Sequence, residues 1–280
     1  EANKSFEESH RLKLEVYETD PKNLEARKNL AFSYGNLGEL QRRLGNLNKA
    51  HKLCVEFNEL IIELHQVHPE DLEVKSTLAV TYEKLGIIQS SLENMELANM
   101  FFQVQTRIFD ELYKSHPQDV LFKNNLAMSY SRLGETALRL DDLTQAKRFF
   151  ELRLTLCEEL SEAYPLNVSF KENLAISCFK YGDTLRSLGY KDESLTFLEK
   201  YHFLCQELHD SFPQITKYQN RLAVSFSELG FYFKENDSDR AKIYYLQSRR
   251  LLQDLVDQFA DSEEFQNQLD LVESVLETFM

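Results

Sequence analysis

The sequence predicts an all-α solenoid of antiparallel helix pairs, and three observations predict it. The chain repeats with a fixed step of 48 residues: Pro21, Pro69, Pro117, Pro165 and Pro213 are all its prolines, and Gly38, Gly86, Gly134, Gly182 and Gly230 keep the same step. A fixed period of this size means stacked units rather than one closed core. Composition is helical, rich in Leu, Glu, Lys and Ala, with only 8 Gly in 280 residues. Within each period, apolar residues fall three or four apart along two successive stripes, which is the signature of two amphipathic helices.

The third unit shows each element in order. After Pro117 the first stripe, helix A, runs through Phe122, Leu126, Tyr130, Leu133, Ala137 and Leu140. Asp141-Asp142 breaks it and offers a cap to the next helix. The second stripe, helix B, runs through Ala146, Phe149, Phe150, Leu156 and Leu160 to Tyr164. Pro165 ends it, because the residue before a proline avoids the helical region. Each helix spans roughly 18–21 residues. The register reaches both ends: Ala2 and Phe6 align with Ala50 and Cys54, and near the C-terminus Ala241 stands one residue early after a shortened loop, "ENDSD". We therefore expect 1–20 to be the second helix of a truncated preceding repeat, repeats at 21–68, 69–116, 117–164, 165–212 and 213–259, and a terminal capping helix at 260–280. A chain opening on Glu1 inside a repeat reads as a fragment of a longer protein.

Tyr130, Leu133, Gly134, Ala146, Phe150 and Pro165 resemble the tetratricopeptide signature W-x2-L-G-x2-Y…A-x3-F…P. The other units match with substitutions, among them Cys178 and Tyr181 in the fourth and Cys54 in the first. The family's period is about 34 residues, so this chain carries about 14 more per unit. Seven residues turn a helix only about 20° short of two full turns, so one added heptad per helix leaves the buried faces in place. The resemblance implies a right-handed superhelix with the A helices lining its concave side, and binding of a peptide or protein there.

Composition excludes several classes. The net charge of −14 and the lack of a Lys/Arg cluster argue against nucleic acid. No apolar run approaches the ~20 residues of a membrane span, so no membrane partner is expected. Cys54, Cys157, Cys178 and Cys205 form no CxxC pair and read as buried free thiols of a reducing, cytoplasmic compartment. The chain has no phosphate-binding glycine loop, nucleophile elbow or H-E-x-x-H. His65 and His68 lack a second pair of ligands, and His68 and His116 share a repeat position with Tyr164 and Phe212, an aromatic packing slot. No enzyme activity, cofactor or metal is expected.

Glu15, Glu63, Glu111, Glu159 and Glu207 precede each proline by six residues, and Arg27, Lys75, Lys123 and Lys171 stand six residues after it. Equidistance from the turn predicts ion pairs between helix B and the next helix A, worth about 0–1 kcal/mol each.

Residues of helix A opposite its core stripe are the candidate site. They include Phe32, Glu39, Arg42 and Arg43 in unit one, Met128, Glu135 and Arg139 in unit three, Phe179, Asp183 and Arg186 in unit four, and Phe231 and Lys234 in unit five. The row Phe32, Val80, Met128, Ile176 and Val224 is either a second packing contact or a binding surface. Phe179 and Phe231 stand out because their counterparts, apart from Ile87, are polar or glycine. The Lys/Asn clamp for C-terminal carboxylates is not present. Two functions fit these residues: a non-catalytic module presenting a concave face to a peptide or protein, or the sensor or scaffold arm of a larger signalling enzyme, an NTPase or caspase-like protease, whose other domains would then be partners. A receptor for a short signalling peptide is a third reading.

Overall fold

The computed structural model describes residues 2–279, with side chains from Ser5 onward. Residues 1 and 280, and the packing expected of Ala2, lie outside the described residues. Those described form twelve α-helices and no strand: α1 (Ala2–Thr19), α2 (Leu24–Arg43), α3 (Leu47–Val67), α4 (Leu72–Ser91), α5 (Met95–Ser115), α6 (Val120–Arg139), α7 (Leu143–Ala163), α8 (Val168–Ser187), α9 (Lys191–Ser211), α10 (Thr216–Phe233), α11 (Ser238–Gln258) and α12 (Glu263–Glu277). Helices adjacent in sequence pack on one another, as in α2 with α3, α4 with α5, α8 with α9 and α10 with α11. The chain divides into two compact units, Glu1–Phe149 and Phe150–Met280.

Local chemistry at fixed repeat positions starts and stops the helices. Two residues after the first four prolines stand Asn23, Asp71, Asp119 and Asn167, whose side chains accept from backbone N–H groups of the first turns of α2, α4, α6 and α8. Each satisfies donors that a helix start leaves orphaned. The A helices end just before residues with positive φ: Gly45 (78°), Glu93 (62°), Asp141 (60°) and Gly189 (85°). The next N–H then donates back five residues, Asn46 to Gln41, Asn94 to Gln89, Asp142 to Ala137 and Tyr190 to Leu185, each at 2.9 Å. This is the Schellman stop, and it needs the left-handed residue. The loop after α10 is one residue shorter and makes no such turn: Asp237 has φ −149° and its N–H donates to Phe233 instead. The register slip is therefore the loss of the left-handed position. Asp142 caps α7 through the Gln145 N–H at 2.9 Å.

Within a hairpin the two helices approach at glycine. A Cβ on Gly86 would lie 2.5 Å from the Phe102 ring, and one on Gly230 2.9 Å from the Tyr245 ring. Between hairpins, B meets the next A through buried polar rungs. His10 reaches Ser33 at 2.8 Å, Asn58 donates to Thr81 at 2.6 Å, and His202 reaches Ser225 at 2.9 Å. The hydroxyls of Ser33, Thr81 and Ser225 donate in turn to the carbonyl three residues earlier. The expected aromatic slot is filled: His116 packs on Phe122, Tyr164 on Phe170, Phe212 on Tyr218 and Phe259 on Phe265, with ring centroids 5.7–6.1 Å apart.

Three of the four bases form ion pairs with other partners than the sequence predicts. Arg27 pairs with Glu63 (3.5 Å), Lys75 with Glu111 (2.9 Å) and Lys171 with Glu207 (3.4 Å), each inside its own hairpin. Glu15 instead accepts from Arg11 on the same helix at 3.0 Å. The start of helix A lies beside the end of its own B as well as that of the preceding one, so equidistance from the proline does not discriminate between them.

Candidate functional site

In the second compact unit, α8, α10 and α12 bring part of the predicted set together. Phe231 leaves α10 off the buried stripe of Leu222, Ser225 and Leu229, and its ring stays 57% exposed. Arg186 of α8 lies over that ring, its guanidinium carbon 4.7 Å from the centroid. The same guanidinium is held by Asp183, one turn earlier, and by Glu228 of α10 at 2.9 Å. Burial raises the Glu228 carboxyl above its usual range, while the Arg186 charge pulls the other way. Arg186 is thus a clamped arm. Its charge is met by two carboxylates, and its flat face adds a cation–π contact of about 0.5–1 kcal/mol to Phe231. Lys234 directs its ammonium toward Phe279, 6.0 Å from the ring centroid.

Phe231 and Lys234 border a cleft of about 340 Å³ whose other apolar walls are Tyr245, Leu271, Val272 and Val275. Burial lifts the Tyr245 phenol to about 12, so it stays a neutral hydroxyl. Leu271 is 68% exposed. The α12 residues are the ones sequence reasoning missed. Their signal is present: Phe265, Leu269, Val272 and Leu276 form the helical stripe, and Leu271 and Val275 are apolar residues off it.

Phe179 has a different setting. It is half-buried, and its ring lies 5.1 Å from that of buried Tyr201 in the same hairpin. The equivalent pairs are Gly35 with Phe57, in contact, and Ser227 with Ser248, hydrogen-bonded at 2.8 Å. The two helices of a hairpin therefore vary together at this position, and complementary packing accounts for the contrast among units.

In the first unit, Glu39 accepts two bonds from Arg42 at 2.9 Å and one from Arg43 at 2.7 Å. These guanidinium groups hold its carboxyl down at about 2. Phe32 packs on Phe57 with centroids 6.1 Å apart. Met128 is half-buried, Glu135 accepts from Ser131 at 3.1 Å, and Arg139 donates to the Ser90 carbonyl and hydroxyl on α4.

Among the described residues no group of three His, Cys, Asp or Glu is placed to hold a metal, and no helix is long and apolar enough to cross a membrane. The four cysteines are free and buried. Burial raises their thiols, Cys54 to about 11 and Cys178 and Cys205 to about 12, which leaves them unreactive. What the Phe231 cleft offers is an apolar socket beside an exposed aromatic ring.

No protein-family profile matches the chain, and no curated protein sequence matches it. Solved structures do. BtubC (BKLC) from P. vanneervenii superposes with a TM-score of 0.69 at 17% identity, over 90% of this chain and 90% of that one. The apo form of RapI superposes with a TM-score of 0.60 at 14% identity, over 96% of this chain and 86% of that one. YrrB, described as a TPR protein with an unusual peptide-binding site, gives 0.43 at 17% identity over 85% and 91%. At these identities the likeness to BtubC and RapI is one of fold alone, an all-α arrangement of adjacent helix pairs.

Proposed function

We propose that this protein is a non-catalytic interaction module that takes a peptide or protein partner on its A-helix face, the side expected to be concave, with the Phe231 cleft as the main contact. The observation that carries this reading is the exposed Phe231 ring, fixed from one side by the clamped Arg186 and set beside an apolar cleft with Leu271. A monomer gains nothing from leaving a rigid aromatic ring and a leucine bare side by side. A partner that inserts a large apolar side chain there would recover their burial. Lys234, Asp183 and the outer edge of Phe179 complete the rim and contribute specificity more than affinity. In the first unit, taken by itself, Phe32, Met128 and the paired charges of Glu39, Arg42, Arg43, Glu135 and Arg139 lie on the A helices and are proposed as secondary contacts. Four buried free thiols support a reducing, cytoplasmic setting.

The test is selection of peptides from a random displayed library against the whole chain, followed by affinity measurement on variants. Phe231→Ala should weaken the selected peptides by about 2 kcal/mol, roughly 30-fold, while stability falls by no more than the ~0.5–1 kcal/mol of the Arg186 cation–π contact. Selected peptides that bind Phe231→Ala and Leu271→Asp as well as the parent would move the site elsewhere.

A further inference from the structure

Glu228 is an acid in a row of bases. By the 48-residue register its counterparts are Asn36, Lys84, Arg132 and Lys180. Three consecutive hairpins thus place a cation where the fifth places a carboxylate. The reversal is not needed to hold Arg186. In the first hairpin the equivalent arginine, Arg42, is held by the single carboxylate of Glu39 through two bonds of 2.9 Å, and Lys84 stands in the place of Glu228. Asp183 is to Arg186 what Glu39 is to Arg42. Glu228 is therefore a second carboxylate on a guanidinium that already has one.

The surplus charge faces the Phe231 cleft. Glu228 lines it, with its side chain 22% exposed. Its Oε2 accepts from Arg186 at 2.9 Å, and its Oε1 carries no hydrogen bond. Arg186 does not offset the burial of Glu228, because Asp183 repels it, and the carboxyl stays above its usual range. Lys234, the other cation at the rim, is turned toward Phe279. Two carboxylates share one guanidinium, and this wall of the cleft is short of one positive charge. The cleft itself is a wedge between consecutive A helices, α10 and α12, with Tyr245 of α11 at its floor. The same wedge recurs between α2 and α4, where Gly38, Arg42, Cys54, Val80 and Lys84 line it.

A partner that covers the cleft takes Glu228 further out of water. A carboxylate enclosed without a counter-charge is costly, whereas a cation brought by the partner would meet it. We propose that the peptide segment occupying the Phe231 cleft is basic: beside its apolar anchor it carries an arginine or lysine whose charged head meets Oε1 of Glu228. The aliphatic stem of that residue adds apolar contact with the cleft walls. This rests on the reading of the cleft as the main contact and names the chemistry that enters it. The net charge of −14 favours the same partner at longer range.

The probe is a set of peptides selected from a random displayed library against the whole chain, with affinities measured by fluorescence anisotropy. Those weakened by Phe231→Ala occupy the cleft. They are expected to carry Arg or Lys at a fixed spacing from an apolar residue. Changing that base to Gln should weaken binding at least about tenfold on the parent protein and no more than about twofold on Glu228→Gln. Glu228→Lys installs the residue that Lys84 and Lys180 supply at this position, so the fold should hold. That variant should prefer the peptide whose base is changed to Glu. Peptides that need Phe231 yet carry no base, or whose base contributes equally on the parent and on Glu228→Gln, would overturn the proposal and leave the cleft reading standing. Peptides indifferent to Phe231→Ala, or a library that yields no binder, would overturn that reading and the proposal with it.

Discussion

Gly86→Ala tests the close approach of helices A and B. The added methyl would sit 2.5, 2.8 and 2.9 Å from three atoms of the Phe102 ring. Phe102 is buried in a cluster with Ala98 and Leu133, so its ring has no free side to move into. Overpacking of this kind costs about 1–3 kcal/mol, and the better helix propensity of alanine returns about 1 kcal/mol. With ring atoms well inside contact distance the upper part of that range applies, for a net loss of about 1–2 kcal/mol. Phe102→Ala alone should cost about 3–5 kcal/mol through the cavity it leaves. In that background the clash is gone, and Gly86→Ala should turn stabilising by about 1 kcal/mol, a coupling of about 2–3 kcal/mol between the two sites. Urea denaturation of the four proteins of this cycle, monitored by far-UV circular dichroism, reads it directly. A Gly86→Ala effect of the same sign and size in both backgrounds would refute the reasoning.

Glu93 holds the left-handed position that glycine holds at 45 and 189, so Glu93→Gly should raise stability by about 0.5–1 kcal/mol, read as a higher urea midpoint. Thr81→Val strands the buried Asn58 amide and should cost about 1–3 kcal/mol, while the pair Asn58→Leu with Thr81→Val should recover most of it. Burial lowers the His202 pKa below its ordinary 6.5. The unfolded chain therefore takes up the proton first, and stability should be full above about pH 6.5 and fall as pH drops below it. His202→Asn, the residue found at the equivalent position in α3, should keep the bond to Ser225 and flatten that slope in pH-dependent melts. The Glu39 carboxyl, held at about 2, contributes stability that is present above about pH 4.5 and lost as pH falls toward 2. Glu39→Gln should remove that acid-limb dependence, about 1 kcal/mol for a partly exposed cluster.

Much of the fold is legible in the residues because one pattern is written five times. The prolines, the Asx residues two positions later and the glycines each mark a structural event at a fixed step, and the aromatic slot recurs from His116 to Phe259. The ion-pair ladder shows the limit of such reading. The charges are legible but their partners are not, since each helix start borders two helix ends and only packing chooses between them. The rungs of Ser33, Thr81 and Ser225 passed unread although they too keep the step. Their partners, His10, Asn58 and His202, differ in type, so the row shows only when both sides are seen together. The candidate site divides in the same way. Phe231 is visible as an odd residue on a repeated face, and so is Phe179, yet only the structure shows Tyr201 under Phe179. Leu271 and Val275 lie some forty residues from Phe231, on a helix read from the sequence only as a terminal cap, although with the one-residue slip Leu271 falls in the row of Phe32, Val80, Met128, Ile176 and Val224.

Hydrogen exchange of the whole chain with and without a library-selected peptide tests the central claim most directly. The account predicts slowed exchange in α10 around Phe231 and in α12 around Leu271, lost together with binding in Phe231→Ala. Protection confined to the outward faces of the B helices, with α10 and α12 unchanged, would contradict it.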